Sequence, residues 1–195
     1  MPSLATRPLR LELGCGAAKR DPRAVGIDTR PLPAVDVVGD ALEVLRTIPD
    51  ASVESVYSEH FLEHVDDARE VLSEISRVLV DGGTCVTVVP HFSNPAFYSD
   101  PTHRQFFGLY TFGYWVERTA LRRGVPHYEA PLPLVLTSTR YVFKSSPPFY
   151  ARHAVKKVLS AWVNLSTWTQ ELYEEHVCWI LPCYEIAYTV RRVPR

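Results

Sequence analysis

The sequence predicts an α/β fold: a doubly wound, mostly parallel sheet. Three observations carry this. Short runs that are apolar on both faces recur along the first half and end in Gly, Asp or Pro, as strands buried inside a parallel sheet do. The first of them hands over to a glycine turn, "ELGCG" at residues 12–16. Between the fourth and fifth runs lies the clearest helical stripe of the chain, so strands and crossovers alternate.

Taken in order, "LRLEL" (9–13), "AVGID" (24–28), "VDVVGD" (35–40) and "VESVYS" (53–58) read as the first four strands, the last after the turn-like Pro49-Asp50. Ala68, Val71, Leu72, Ile75, Val78 and Leu79 then fall on one face of a helix. Asp67 with Glu70 marks its start, Arg77 sits in its last turn, and Gly82-Gly83 supplies a stop. "TCVTVVP" (84–90) is the fifth strand. Beyond Pro90, residues 111–123 read as helical and 137–144 as a strand. Val155, Val158, Leu159, Trp162 and Leu165 again keep helical spacing, with Lys156 and Lys157 on the other side. "YEIAYTVRR" (184–192) is the closing strand. With no internal repeat or flexible linker, the expectation is one domain over 1–195: a ligand-binding half at 9–90, an acceptor-side loop and helices at 91–183, and the strand at 184–192.

Composition narrows the function. A net charge of −1 argues against nucleic-acid binding by bulk electrostatics. Cys15, Cys85, Cys178 and Cys183 form no CxxC pair and read as reduced, buried thiols, which points to the cytoplasm. The N-terminal stretch "MPSLATRPLRLEL" lacks the apolar core of a signal peptide, and no run approaches a membrane span. Arg152, Lys156 and Lys157 opposite Trp162 would suit a membrane surface or an anionic acceptor, but a solvated face is the expected reading.

The glycine turn is the first chemical signal. A dinucleotide fingerprint would place a third glycine where Lys19 stands and an acid about 20 residues on; here Asp28 follows Gly14 after only fourteen residues. The helix N-terminus that a pyrophosphate needs would be stunted, so a nucleoside ligand without phosphates fits better. Asp28 and Asp40, at the carboxyl ends of their strands, face the ligand crevice of such a sheet. One suits ribose hydroxyls and the other an adenine amine, although either alone reads equally well as a turn residue.

In order, "LELGCG", "VGID", "VVGDAL", "VESVYSEHFLEHV", "EISRVLVDGG" and "VTVVPH" resemble the class I S-adenosylmethionine-dependent methyltransferases, and within them a small bacterial branch with a D-P-T-H loop after the fifth strand. The resemblance runs from about Leu9 to Phe107, with a weaker echo at Tyr184 to Val190. It implies a Rossmann-like, mostly parallel sheet with a closing antiparallel strand, and S-adenosyl-L-methionine as cofactor. It further implies that Gly14, Cys15 and Gly16 line the amino-acid end of that cofactor, with Glu12 beneath. By the same resemblance Asp28 binds the ribose, Asp40 with Ala41 meets the adenine, and Glu59 and His60 wall the methionine part. Three departures stand out: no lid helix before the first strand, a very short first crossover, and Asp81 where proline is usual.

His60-x-x-Glu63-His64 spells a zinc-peptidase motif. On a helix both imidazoles would reach one zinc, but the segment sits at a strand-to-helix bend, and no metal is expected there. The loop "SNPAFYSDPTHRQFF" (93–107) leaves the fifth strand at the crevice edge. In it His103 is a candidate base oriented by Asp100, with His91 as a second candidate. Phe97, Tyr98, Phe106 and Phe107 would exclude water or stack on a sugar face. The competing reading makes Asp100-Pro101-Thr102 a tight turn and His103 a structural group; a divalent metal on His91, Asp100 and His103 is set aside as chance spacing. The expected activity is methyl transfer, chiefly to oxygen, on a small-molecule or saccharide-like acceptor. The rivals are a binding module of the same fold and an NAD-dependent oxidoreductase.

Overall fold

The computed structural model of the chain describes residues 8–145 and 150–194. Its strands are β1 (Leu9–Leu13), β2 (Val25–Asp28), β3 (Val37–Val38), β4 (Val53–Glu59), β5 (Leu79–Pro90), β6 (Val116–Thr119), β7 (Leu132–Val142) and β8 (Glu185–Arg192). All eight join in one sheet of order β3-β2-β1-β4-β5-β8-β7-β6. β1 to β5 run parallel, and β6 pairs parallel with β7. β8 alone is antiparallel to both of its neighbours. The strand order reverses between the parallel neighbours β1 and β4, and an α/β sheet opens a ligand crevice at such a switch point, outside the carboxyl ends of its strands.

The helices are α1 (Ala41–Thr47), α2 (Ala68–Val78), α3 (Tyr150–Val163) and α4 (Thr167–His176). α2 forms as expected: the Asp67 carboxylate accepts from the backbone N–H of Arg69 and Glu70, and Ala68, Val71, Leu72, Ile75 and Val78 are buried. Gly82-Gly83 is not its stop. β5 begins directly after Val78, and the glycines lie in an irregularity of that strand where its pairing with β4 jumps from Val53↔Leu79 to Ser55↔Thr84. Residues 14–24, between β1 and β2, contain only turns. With no helix from that crossover, Ser55, Tyr57, Thr84 and Val86 on the corresponding sheet face stay half-buried, while Val56, Ser58, Cys85 and Thr87 on the other face are buried.

Two expectations for the second half change. Residues 111–123 are a short 3-10 turn (Thr111–Tyr114) followed by β6, because Val116 and Arg118 pair with β7. The strand expected at 137–144 is the later part of the longer β7. Where β6 ends, the edge of β7 is closed by side chains: Asn164 accepts from the Tyr141 N–H and donates to the Tyr141 carbonyl, both at 2.8 Å, and Gln170 donates to the Thr139 carbonyl. The apolar stripe of α3 divides: Leu159 packs against the core, while Val155 and Val158 are 66% and 72% exposed. No helix among the described residues is long and apolar enough to cross a membrane. The four cysteines are free and buried.

Candidate active site

At the carboxyl edge, β1 delivers Gly14 and Gly16 with φ of +64° and +59°, a region that favours glycine because it has no Cβ. Gly14 also passes against Phe61, two residues past β4: an added Cβ would lie 3.0 Å from the Phe61 Cβ. Between these turns and the end of β2 opens a cleft of about 530 Å³ lined by Gly14, Gly16, Asp28, Asp40, Ala41 and His60, among others. Its size is within the roughly 300–1,000 Å³ of small-ligand sites.

Asp28 is fixed by two backbone donors, Gly16 N–H on Oδ2 and Arg30 N–H on Oδ1, both at 2.9 Å. Each oxygen keeps acceptor capacity. Asp40 lines the same cleft, and its Oδ1 also accepts from Leu42 and Glu43 as the N-cap of α1.

Glu12, Cys15 and Glu59 do not line this cleft. They flank a second depression of about 350 Å³ that shares Gly14 as its wall. There the Glu12 carboxylate accepts from the Arg20 N–H at 2.9 and 3.0 Å. The Arg20 guanidinium donates to the Tyr57 hydroxyl and lies 4.6 Å over its ring, and that hydroxyl donates to Glu59. The Cys15 thiol is buried against Gly26, and burial raises its pKa. Arg20 and Tyr57 were invisible to motif reading, because only the fold of the β1–β2 turn stacks one on the other.

His60 adopts φ +51°, and its two nitrogens lie 3.1 Å from Glu63 Oε1 and 3.0 Å from Glu185 Oε1. Glu185, bridged also by Lys144 Nζ, and then Glu63 hold this imidazole charged, pushing its pKa up to about 10. For Glu185 itself burial acts to raise the pKa, but the hydrogen bonds from His60 and Lys144 outweigh it and hold the carboxyl below its ordinary value.

His91 does not reach the cleft. It is fully buried, its Nδ1 accepts from the Ser93 N–H, and its Nε2 donates to Glu174 at 3.1 Å. Asp100 forms a tight turn, with Oδ1 accepting from the Thr102 N–H and hydroxyl, and Thr102 lowers its pKa through these bonds. Asp100 Oδ2 stands 3.7 Å from His103 Nε2, beyond hydrogen-bond length. His103 is oriented instead by the Phe97 carbonyl, which accepts from Nδ1 at 2.9 Å. Phe97, Phe106 and His103 pack as neighbouring rings, and Tyr98 and Phe106 are 58% and 60% exposed. Phe107 is in the core beside Tyr188. The loop is stitched to the residues after β4: Glu63 O accepts from Arg104 and Gln105, Arg104 pairs with Asp66, and Thr102 meets His64.

Residues 11–87 match the family described as a methyltransferase domain. No curated protein matches the chain. Among solved structures it is similar to an S-adenosylmethionine-dependent methyltransferase from Archaeoglobus fulgidus (TM-score 0.57, 16% identity, 96% of this chain and 87% of the other). It is also similar to the YcgJ protein from Bacillus subtilis (TM-score 0.56, 14% identity, 97% and 93%). A third is Haemonchus contortus phosphoethanolamine N-methyltransferase 2 in complex with S-adenosylmethionine (TM-score 0.55, 14% identity, 97% and 49%). Identities this low speak for the fold alone.

Proposed function

We infer that the chain is a class I S-adenosylmethionine-dependent methyltransferase and that its acceptor is a small or saccharide-like molecule methylated at oxygen. The observation that carries the reading is the Nε2 of His103, which makes no hydrogen bond and lies 3.7 Å from Asp100 Oδ2, beside exposed aromatic rings on a loop bonded to the lining of the cofactor cleft. Bound S-adenosylmethionine supplies a methyl group on a sulfonium. The residues fit that cofactor: Asp28 is fixed at the cleft with acceptor capacity to spare for a ribose diol, and an added Cβ at Gly14 would crowd Phe61. We assign Asp40 and Ala41 to the adenine end. The second depression suits the amino-acid end, with Arg20 for a carboxylate and Glu12 and Glu59 for an ammonium.

On the acceptor side we assign His103, the imidazole whose Nδ1–H is committed to Phe97, to act on the acceptor hydroxyl through Nε2. Tyr98 and Phe106 are assigned to the apolar face of a sugar-like ring. Asp100 shapes the loop, and His91, with both nitrogens engaged, is a structural group. Calorimetry tests the cofactor half. S-adenosylmethionine and its demethylated product are expected to bind while NAD does not, and Asp28→Ala to weaken binding about 10–100-fold, the worth of a hydrogen bond to a charged group. Unchanged affinity in Asp28→Ala would remove the ribose role, and NAD binding in place of the sulfonium cofactor would overturn the reading.

A further inference from the structure

Glu63 is wholly buried, and although its Oε1 meets His60, its Oε2 has no partner. A buried carboxylate oxygen without a donor is costly, so what would satisfy it matters. His64 and His103 are beside it: one ligand atom from each of Glu63, His64 and His103 lies within 4.8 Å of the others.

The proton positions of both rings follow from their partners. The Thr102 hydroxyl donates to Asp100 Oδ1 at 2.6 Å, so at its 2.9 Å contact with His64 it accepts from Nδ1–H. His103 Nδ1–H donates to the Phe97 carbonyl. In the neutral form, each ring therefore carries its lone pair on Nε2. Imidazoles held through one nitrogen with the other left bare are how proteins orient metal ligands.

We propose that Glu63, His64 and His103 form a binding site for one zinc-type divalent cation on the acceptor side of the cofactor cleft. Two imidazoles and a carboxylate make the donor set of an open site, with a position left for an oxygen ligand. Ligands on one tetrahedral zinc lie about 3.3 Å apart and these atoms lie within 4.8 Å of one another, so the three groups close by up to about 1.5 Å, and the His64 side chain is 37% exposed and lines the cleft. Only the use of the cation rests on the methyltransferase reading: it would bind the acceptor oxygen and lower the pKa of its hydroxyl, so that His103 acts through the metal. The H-x-x-E-H segment thus supplies its Glu63 and His64, while His60 is spent between two carboxylates.

The test uses the full chain, free of any affinity tag and stripped with chelator. Cobalt(II) is titrated while its visible absorption is followed, and zinc binding is measured by calorimetry. One equivalent is expected, with zinc displacing cobalt. His64→Ala and His103→Ala should each weaken zinc at least about 10-fold, and His176→Ala on the surface should not. Absence of saturable binding, or wild-type affinity in both His64→Ala and His103→Ala, would overturn the proposal. Glu63→Gln is scored only if its circular dichroism is native; the exposed His64 decides without it. Calorimetry with S-adenosylmethionine in chelator separates the two readings: cofactor binding without metal binding sinks only the metal site, and metal binding without cofactor binding sinks only the cofactor assignment.

Discussion

His60 shows how a single residue is re-purposed by its surroundings. Its backbone is held at φ +51°, a conformation that costs a non-glycine residue on the order of 1–3 kcal/mol and persists only where neighbours enforce it. Glu185 and Glu63 do so by binding both ring nitrogens. Since the folded pKa is raised from 6.5 to about 10, the contribution to stability is complete below about pH 6.5 and is lost as pH rises through about 10. Urea unfolding of wild type and His60→Gln across this range should show a stability difference that shrinks toward alkaline pH; a difference independent of pH would remove the charged-imidazole account. None of this was legible in the sequence, where His60 read as a cofactor wall or half of a zinc motif: Glu185 is 125 residues away. Asp28, by contrast, could be read directly, because the end of a strand after a glycine turn has few directions in which to point a carboxylate.

At the scale of elements, local signals worked where local bonds decide. The D-x-x-E start of α2 is a real cap, with Asp67 binding the Arg69 and Glu70 amides at 2.8 and 3.0 Å. Asp67→Ala should cost about 1 kcal/mol, read as a lower midpoint in thermal or urea unfolding with the fold unchanged. The same logic failed where a neighbour outbids propensity. Residues 116–119 give up the expected helix because β7 offers a parallel ladder, and Gly82-Gly83 serves an irregular strand instead of a helix end. On α3 the helical spacing holds, but the stripe is shared between core and solvent: Leu159 and Val163 pack inward while Val155 and Val158 face out. Periodicity fixes which residues share a face, and only packing says where that face points.

Across the whole molecule, α4, β7 and the segment after β5 meet on one carboxylate. Glu174 of α4 accepts from the Leu109 N–H at 2.6 Å, the Tyr141 hydroxyl at 2.7 Å and His91 Nε2 at 3.1 Å. Glu174→Ala would strand three donors at once, so a loss of at least about 2 kcal/mol is expected, measured as a lower urea midpoint; an unchanged midpoint would show that these donors find other partners. The sequence alone determined where the first five strands lie along the chain, the glycine turn after β1 and the acid that ends β2, because each is marked by local hydropathy and turn residues. Only the tertiary structure divided the expected cofactor residues between two depressions, buried His91, laid Arg20 over Tyr57, and brought Glu63 and His64 to His103. Those pairings join segments that no periodicity links, and burial, by removing water as the competing partner, decides which polar groups must meet.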